Sequence, residues 1–152
     1  MTKGYLIPLI AGLALLAACG NSKSAPAASS APAVPAPTVA ELPAPYNEGN
    51  VGHGKSLFSK CQSCHSVDAR DGNSVGPNLH GVFDRKPGTA PKFRYSPAMA
   101  GFTSEKWTPE LVDEWLAKPQ TFLPGTAMTF NGFAKPEDRR DIVAWLLIST
   151  RQ

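Results

Sequence analysis

The stretch Cys61-Gln62-Ser63-Cys64-His65 constrains this chain more than any other feature of its sequence. Two thiols three residues apart, followed directly by an imidazole, form the C-x-x-C-H signature of c-type haem attachment. On one helical turn the two sulfurs can add to the two vinyl groups of a porphyrin, and the imidazole then faces the iron from its proximal side. The motif therefore predicts iron redox chemistry on one covalently held haem c.

The same two cysteines also suit two other kinds of site, a dithiol redox pair or half of a zinc site. A zinc site needs a second pair of ligands, and the only other cysteine in the chain is Cys19. A thioredoxin-like dithiol needs a βαβ context, and no strand, crossover and strand pattern surrounds the motif. Both alternatives therefore lack the partners that their chemistry requires.

Residues 1–18 have the pattern of an export signal. Lys3 supplies the positive start, and the apolar run that follows is too short to be read as a spanning helix. The run ends in Leu16-Ala17-Ala18-Cys19, which resembles the lipobox of bacterial lipoproteins, whose cysteine is acylated and becomes the first residue after cleavage. We expect Cys19 to carry a lipid anchor; the alternative is a plain secretory peptide in which a cysteine falls there by chance.

The use of the three cysteines indicates a cellular compartment. One is assigned to lipid and two to thioethers, so none is left for a disulfide. Because haem attachment and lipobox processing both occur outside the bacterial cytoplasm, we expect the protein on the periplasmic side of the cell membrane. Two or three acyl chains hold a protein on a membrane stably, whereas a single chain does not.

Residues 19–45 are expected to form a tether that begins with the lipidated cysteine. This segment is rich in Ala, Pro and Ser and carries almost no large apolar side chain. Such a composition cannot bury enough surface to offset the entropy lost on ordering, so we expect an extended chain with a polyproline bias.

Residues 46–152 have room for one folded domain, in which three helices and no alternating strand run can be read. The first spans residues 50–60 and delivers the two cysteines. The second begins at Thr108, the predicted N-cap, with Pro109 at its first position, and closes at Pro119. The third spans residues 135–149. Long loops rich in Gly, Pro and Asn separate them, and a domain of this kind needs an apolar body at its centre, which a haem would provide.

Further motifs stand around the attachment site in a fixed order. They are Gly54-x-x-x-Phe58, Gly76-Pro77-Asn78-Leu79-His80-Gly81-Val82-Phe83, Arg85-Lys86, Tyr95, Trp107, Pro124-Gly125-Thr126-x-Met128 and Ile142-Val143-Ala144-Trp145-Leu146. Their joint order and spacing resemble class I cytochromes c across essentially the whole of residues 46–152. The resemblance implies an all-α class I cytochrome c fold, with three main helices and long loops wrapped around one haem attached through Cys61 and Cys64.

The resemblance also implies the two iron ligands. His65 matches the proximal ligand, and Met128 lies in a Pro-Gly loop of the kind that presents a thioether to the distal iron face in this family. Met99 is interpreted as a core or haem-edge residue. We expect His53 to face away from the haem and His80 to make local contacts in its loop.

Supporting roles follow from matched positions. Pro77 resembles the family residue whose carbonyl accepts the proximal imidazole N–H. Four further residues resemble groups that hydrogen-bond the buried haem propionates, which would otherwise be costly charges in an apolar pocket; they are Arg85, Tyr95, Trp107 and Thr126. For each of these the alternative is ordinary packing or capping.

Two departures from the family pattern bear on function. Trp115 stands where family members often carry a tyrosine whose hydroxyl points at the methionine sulfur. Gln120, Thr121 and Ala127 flank the methionine where mitochondrial members carry lysines. Because the ring of positive charge is thinned, we expect weaker electrostatic steering and a weaker dependence on salt.

The resemblance predicts an electron carrier rather than an enzyme. It implies a monomer that shuttles single electrons between respiratory or photosynthetic membrane complexes, with a quinol-oxidising cytochrome complex as donor and a terminal oxidase as acceptor. The net charge of +3, without a basic run, argues against nucleic acid as a partner. Two alternatives remain: an electron-entry or catalytic haem domain of a dehydrogenase or peroxidase system, and a gas sensor in which the methionine is displaced.

Overall fold

The computed structural model describes residues 36–151, and this part of the chain contains helices and loops but no β-strand. The all-α prediction is therefore confirmed. The α-helices are α1 (Val51–Leu57), α2 (Pro97–Ala100), α3 (Pro109–Ala117), α4 (Pro119–Phe122) and α5 (Pro136–Ser149), and the 3-10 helices are Val39–Glu41, Tyr46–Glu48, Phe58–Lys60 and Val82–Asp84. None of the helices within residues 36–151 is long and apolar enough to cross a bilayer.

The three predicted helices correspond to α1, α3 and α5. Helix α1 continues through the turn Phe58–Lys60 to the first cysteine, as expected. Helix α3 begins as predicted, since the Thr108 hydroxyl accepts the N–H of Leu111 at 3.2 Å and Pro109 occupies the first helical position. The short helices α2 and α4 were not predicted, because four residues are too few to show an apolar period.

Helices α1 and α5 cross closely at Gly54. A Cβ atom at this position would overlap the carbonyl group of Asp141 and would lie 2.8 Å from the Cβ of Trp145. One turn later the rings of Phe58 and Trp145 pack with their centroids 4.5 Å apart. Helix α5 also packs on α3, and its residues 141–147 are all buried. This packing fixes the direction from which α1 delivers the cysteines.

The predicted tether extends too far toward the domain. Within the described residues, Leu42 and Tyr46 are only 6 % and 3 % exposed and belong to the hydrophobic core. The chain then reaches α5, because a Cβ atom on Gly49 would lie 2.6 Å from the Cβ of Ala144. Residues 36–50, named here the N-terminal arm, are thus part of the folded domain. The rest of the predicted tether, residues 19–35, lies outside the described residues.

Asp141 joins the N-terminus of α1 to α5. Its carboxylate accepts the backbone N–H of Asn50 at 2.9 Å and the Nδ1–H of His53 at 2.9 Å, and Arg140 lies 3.2 Å away. Burial would raise the pKa of this carboxyl, but the hydrogen bonds from His53, Asn50 and Arg140 outweigh burial and hold the pKa below its ordinary value. The charged form is therefore favoured by folding.

We expect Asp141→Ala to lower the free energy of unfolding by about 1–3 kcal/mol, because Asn50, His53 and Arg140 all lose a buried acceptor. A group whose pKa is lowered by folding stabilises above its ordinary pKa and loses that contribution as pH falls through the lowered value. The wild type should therefore lose stability below about pH 4, and the variant should lose less. Denaturant unfolding between pH 3 and 7 measures the stability lost in the variant and the pH dependence of the stability of each protein. Asp138→Ala is the control, since Asp138 lies 3.9 Å from His53; equal losses in the two variants would contradict this account.

Candidate functional site

A cavity of about 480 Å³ lies between the attachment motif, the long loops and helices α3 and α5. Most of its wall is apolar, with Phe58, Leu79, Val82, Leu116 and Leu146 among the lining side chains. The structure brings every residue of the predicted haem site to this one cavity: Cys61, Cys64, His65, Pro77, Arg85, Tyr95, Trp107, Thr126 and Met128.

The attachment motif forms a helical turn that presents both thiols and the imidazole. The N–H groups of Cys64 and His65 both donate to the carbonyl of Cys61, at 3.0 and 2.9 Å. Because this turn follows directly on Phe58–Lys60, the packing of Phe58 on Trp145 holds the motif against α5.

The imidazole of His65 is fixed by a backbone acceptor. Its Nδ1 lies 2.7 Å from the carbonyl oxygen of Pro77, and since a carbonyl only accepts, Nδ1 carries the hydrogen. The Nε2 lone pair is thereby left for a metal. Burial lowers the pKa of His65, although the hydrogen bond to Pro77 acts in the opposite direction. The lowered pKa favours the neutral ring. Gly76 makes room for the ring, because a Cβ atom there would lie 2.7 Å from both ring nitrogens.

The thiols do not resemble a dithiol redox pair. Burial raises the pKa of Cys61 to about 11, with Cys64 adding to the effect. Reactive cysteine pairs depend on a lowered thiol pKa, so the raised pKa of Cys61 disfavours a dithiol redox site. A zinc site is not supported either, because residues 36–151 hold no group of three His, Cys, Asp or Glu side chains suited to a metal ion.

Met128 reaches the cavity from a closed loop between α3 and α5, residues 118–132, named here the distal loop. At its far end Gly132 has φ +92°, and a Cβ atom there would lie 2.7 Å from the carbonyl carbon of Ala117. In the next residue, the N–H of Phe133 donates to the backbone carbonyl of Leu116 at 2.8 Å. The loop therefore begins and ends at the same point of α3.

Two hydrogen bonds hold the main chain of Met128. Its N–H donates to the hydroxyl of Thr126 at 3.3 Å. Its carbonyl accepts the Nε2–H of Gln120 at 2.8 Å. The second bond was not predicted, because a single exposed glutamine in the four-residue helix α4 has no periodic or motif signal.

Three polar side chains lining the cavity keep donors free. The Arg85 guanidinium donates to the carbonyls of Asn78 at 2.8 Å and His80 at 3.2 Å. Its other N–H groups can still donate to a bound group. The hydroxyl of Tyr95 accepts the N–H of Ala90 at 3.3 Å, and its own hydrogen is not used there. Burial raises the pKa of Tyr95, so the phenol stays protonated. Thr126 likewise accepts from Met128 and can still donate.

The other histidines and methionine lie as expected. His53 is absent from the cavity wall and contacts Asp141. Met99 is 6 % exposed and lines the cavity. His80 makes a local contact, since its backbone N–H donates to the Asn78 side chain at 2.7 Å. Its Nδ1 is buried and has no hydrogen-bond partner among residues 36–151.

A closed ring of four aromatic side chains was not predicted. Trp107 and Trp115 line the cavity with ring centroids 5.7 Å apart, Trp115 packs on Phe122 at 5.8 Å, Phe122 on Phe102 at 5.6 Å, and Phe102 on Trp107 at 6.3 Å. These residues come from α3, α4 and two loop positions, so no periodic pattern connects them. The packing of Trp115 on Phe122 holds α4, at the start of the distal loop, against α3.

The residues of the cavity fit a covalent haem. Two thiols on one turn can form thioethers, an oriented imidazole and a thioether supply the usual nitrogen and sulfur donors for haem iron, and the free donors of Arg85, Tyr95 and Thr126 suit carboxylates at the edge of an apolar space.

Comparison with known proteins gives consistent results. The family model described as cytochrome c matches residues 51–149. The cytochrome c of Kluyveromyces lactis is 40% identical over 107 residues, which cover 70% of this chain and 96% of that protein. That of Ulva intestinalis is 40% identical over 103 residues, covering 67% and 92%, and that of Stellaria longipes is 37% identical over 107 residues, covering 70% and 98%.

Proposed function

Because this chain belongs to the cytochrome c family and carries one covalent haem c, we propose that it is a lipid-tethered one-electron carrier on the periplasmic face of a membrane. The observation that carries this proposal is that His65 and Met128 line the same cavity. If these two side chains held the iron, no coordination position would remain open to a substrate.

The residues of the cavity each contribute to electron transfer. When bound, the haem supplies one-electron iron chemistry. Cys61 and Cys64 hold it through thioethers, and the Pro77 carbonyl keeps the His65 ring oriented and raises its basicity. The Met128 thioether favours the reduced iron and raises the potential. Because the main chains of His65 and Met128 are both hydrogen-bonded, little would have to rearrange between the two oxidation states.

The experiment that tests this proposal is mixing of the reduced holoprotein with carbon monoxide in a stopped-flow instrument. We expect slow or absent binding, because the Met128 thioether must first leave. A catalytic haem domain or a gas sensor with a readily displaced methionine would bind at once. Rapid binding of carbon monoxide by the reduced protein, or of peroxide by the oxidised protein, would therefore count against an electron carrier.

We propose a quinol-oxidising cytochrome complex as donor and a terminal oxidase as acceptor, on the resemblance to class I cytochromes c. A tether replaces diffusion in solution with a high effective concentration of both partners. The midpoint potential of the holoprotein tests this order of transfer, because it must lie between those of the two complexes. A potential below that of the donor would exclude the order.

The lipid anchor is proposed from sequence alone, since Cys19 lies outside the described residues. Cys19→Ser should move the protein from the membrane fraction to the soluble fraction, because no thiol remains to be acylated, and the visible spectrum should stay unchanged. A second variant, with residues 1–19 replaced by an ordinary cleavable export signal, controls for an uncleaved leader. If that second variant still sedimented with membranes after a salt wash, the anchor would not be the lipid.

A further inference from the structure

The bond between Gln120 and Met128 crosses the distal loop. Gln120 lies in α4, in the first half of the loop, and its amide Nε2 donates to the carbonyl of Met128 at 2.8 Å. The other hydrogen bond of Met128, to the Thr126 hydroxyl, spans only two residues. Among the described residues, the Gln120 amide is the one side chain whose hydrogen bond joins the two halves of this loop.

Two further contacts hold the ends of the loop, and beyond α4 a backbone hydrogen bond lies within it, from the N–H of Thr126 to the carbonyl of Leu123 at 3.1 Å. The two ends of the loop are held together by a hydrogen bond from the N–H of Phe133 to the carbonyl of Leu116 at 2.8 Å. The first half is held by the packing of Phe122 on Trp115, with ring centroids 5.8 Å apart. Neither contact restrains the main chain at Met128 itself. Gln120 therefore joins the main chain of Met128 directly to α4, whereas the other hydrogen-bonded connection among the described residues is indirect, from Met128 to Thr126 and from Thr126 to Leu123.

We propose that Gln120 is a positioning residue, which holds the main chain of Met128 so that its thioether stays on the iron. This inference rests on the proposed role of Met128 as the sixth ligand. Gln120 does not line the cavity, so it acts through the methionine and not on the haem. An opening of the distal loop that moves the main chain of Met128 away from α4 breaks this hydrogen bond.

The size of the effect follows from the exposure of the amide. An intramolecular hydrogen bond corresponds to roughly a two- to tenfold change in an equilibrium, and because Gln120 is exposed to water we expect the lower half of that range. Removal of the bond should therefore raise the population of the opened loop, and the rate of replacement of the thioether, about two- to fivefold.

The test compares two variants of Gln120 with two matched controls in the full holoprotein. Gln120→Leu removes the amide without adding charge, and Gln120→Glu keeps its size but replaces the donor with an acceptor. Thr121→Leu and Thr121→Glu make the same changes one residue further on, at an exposed side chain that does not line the cavity. The probe is imidazole, added in excess to the oxidised protein, because its limiting binding rate reports how often the thioether leaves.

We expect both Gln120 variants to bind imidazole about two- to fivefold faster than either Thr121 control, with faster amide hydrogen exchange in residues 126–130. Equal rates in the two pairs would overturn the proposal, as would a loss of global stability without a change in the rate. The assignment of Met128 is checked separately by the sulfur-to-iron band of the oxidised wild type. Its absence would mean that the proposed function has failed, whereas its presence with equal rates would mean that only the positioning role has failed.

Discussion

Replacement of Met128 by alanine should convert the protein from a closed electron carrier into an open haem protein. We expect the weak sulfur-to-iron band of the oxidised state to disappear and carbon monoxide to bind the reduced state rapidly. The midpoint potential should fall by on the order of 0.2 V, a fraction of the roughly 0.8 V over which axial ligands set haem potentials. The reason is that the soft thioether stabilises the reduced iron and no other side chain replaces it.

Met99→Leu is the matched control for this experiment. Met99 is buried and lines the same cavity, so its replacement alters packing but leaves the distal loop intact. We expect it to retain the sulfur-to-iron band and slow carbon monoxide binding. Loss of the band in Met99→Leu, with retention in Met128→Ala, would reverse the assignment of the two methionines.

Replacement of Gly54 by alanine should destabilise the fold strongly, although it adds only one methyl group. The added Cβ would overlap the backbone carbonyl of Asp141 and meet the Cβ of Trp145 at 2.8 Å, and neither atom belongs to a flexible side-chain end. Helices α1 and α5 would have to separate, at a cost of about 3 kcal/mol or more, against a typical total stability of roughly 5–15 kcal/mol. Denaturant unfolding of the holoprotein, followed by circular dichroism, measures this loss.

Gly52→Ala provides a control on the same helix. The only atom near a Cβ at Gly52 is the side-chain oxygen of Asn50 at 3.4 Å, and the residue is exposed. The same substitution should therefore stabilise the protein by up to about 1 kcal/mol, through helix propensity and a less flexible unfolded chain. If both alanine variants changed the stability in the same direction, the close crossing at Gly54 would not be the cause.

Much of this architecture is predictable because its signals are local. The cap at Thr108 and the apolar stripe of α5 mark helix positions directly, and C-x-x-C-H defines the attachment turn. The fold class and the covalent haem c were predicted correctly in this way. The ligand roles of His65 and Met128 stay predictions, although both residues line one cavity.

The features that were missed depend on contacts between distant segments. The hydrogen bond from Gln120 to Met128 and the aromatic ring around Trp115 join residues from different elements without any period. The burial of Leu42 was missed because a single apolar side chain in an Ala/Pro/Ser-rich segment resembles the rest of a tether. Such contacts are decided by tertiary packing, which composition does not report.

The N-terminal arm would have a mechanical consequence under the proposed attachment at Cys19. Leu42 and Tyr46 are buried, and no residue of the arm lines the cavity. A pull on the N-terminus is therefore met first by the arm, whose end at Gly49 lies on α5, and not by the loops that carry the iron ligands. In the proposed lipid-tethered protein, a force on the tether would therefore act on the arm before it reached the haem-binding loops, and the geometry of electron transfer would be preserved.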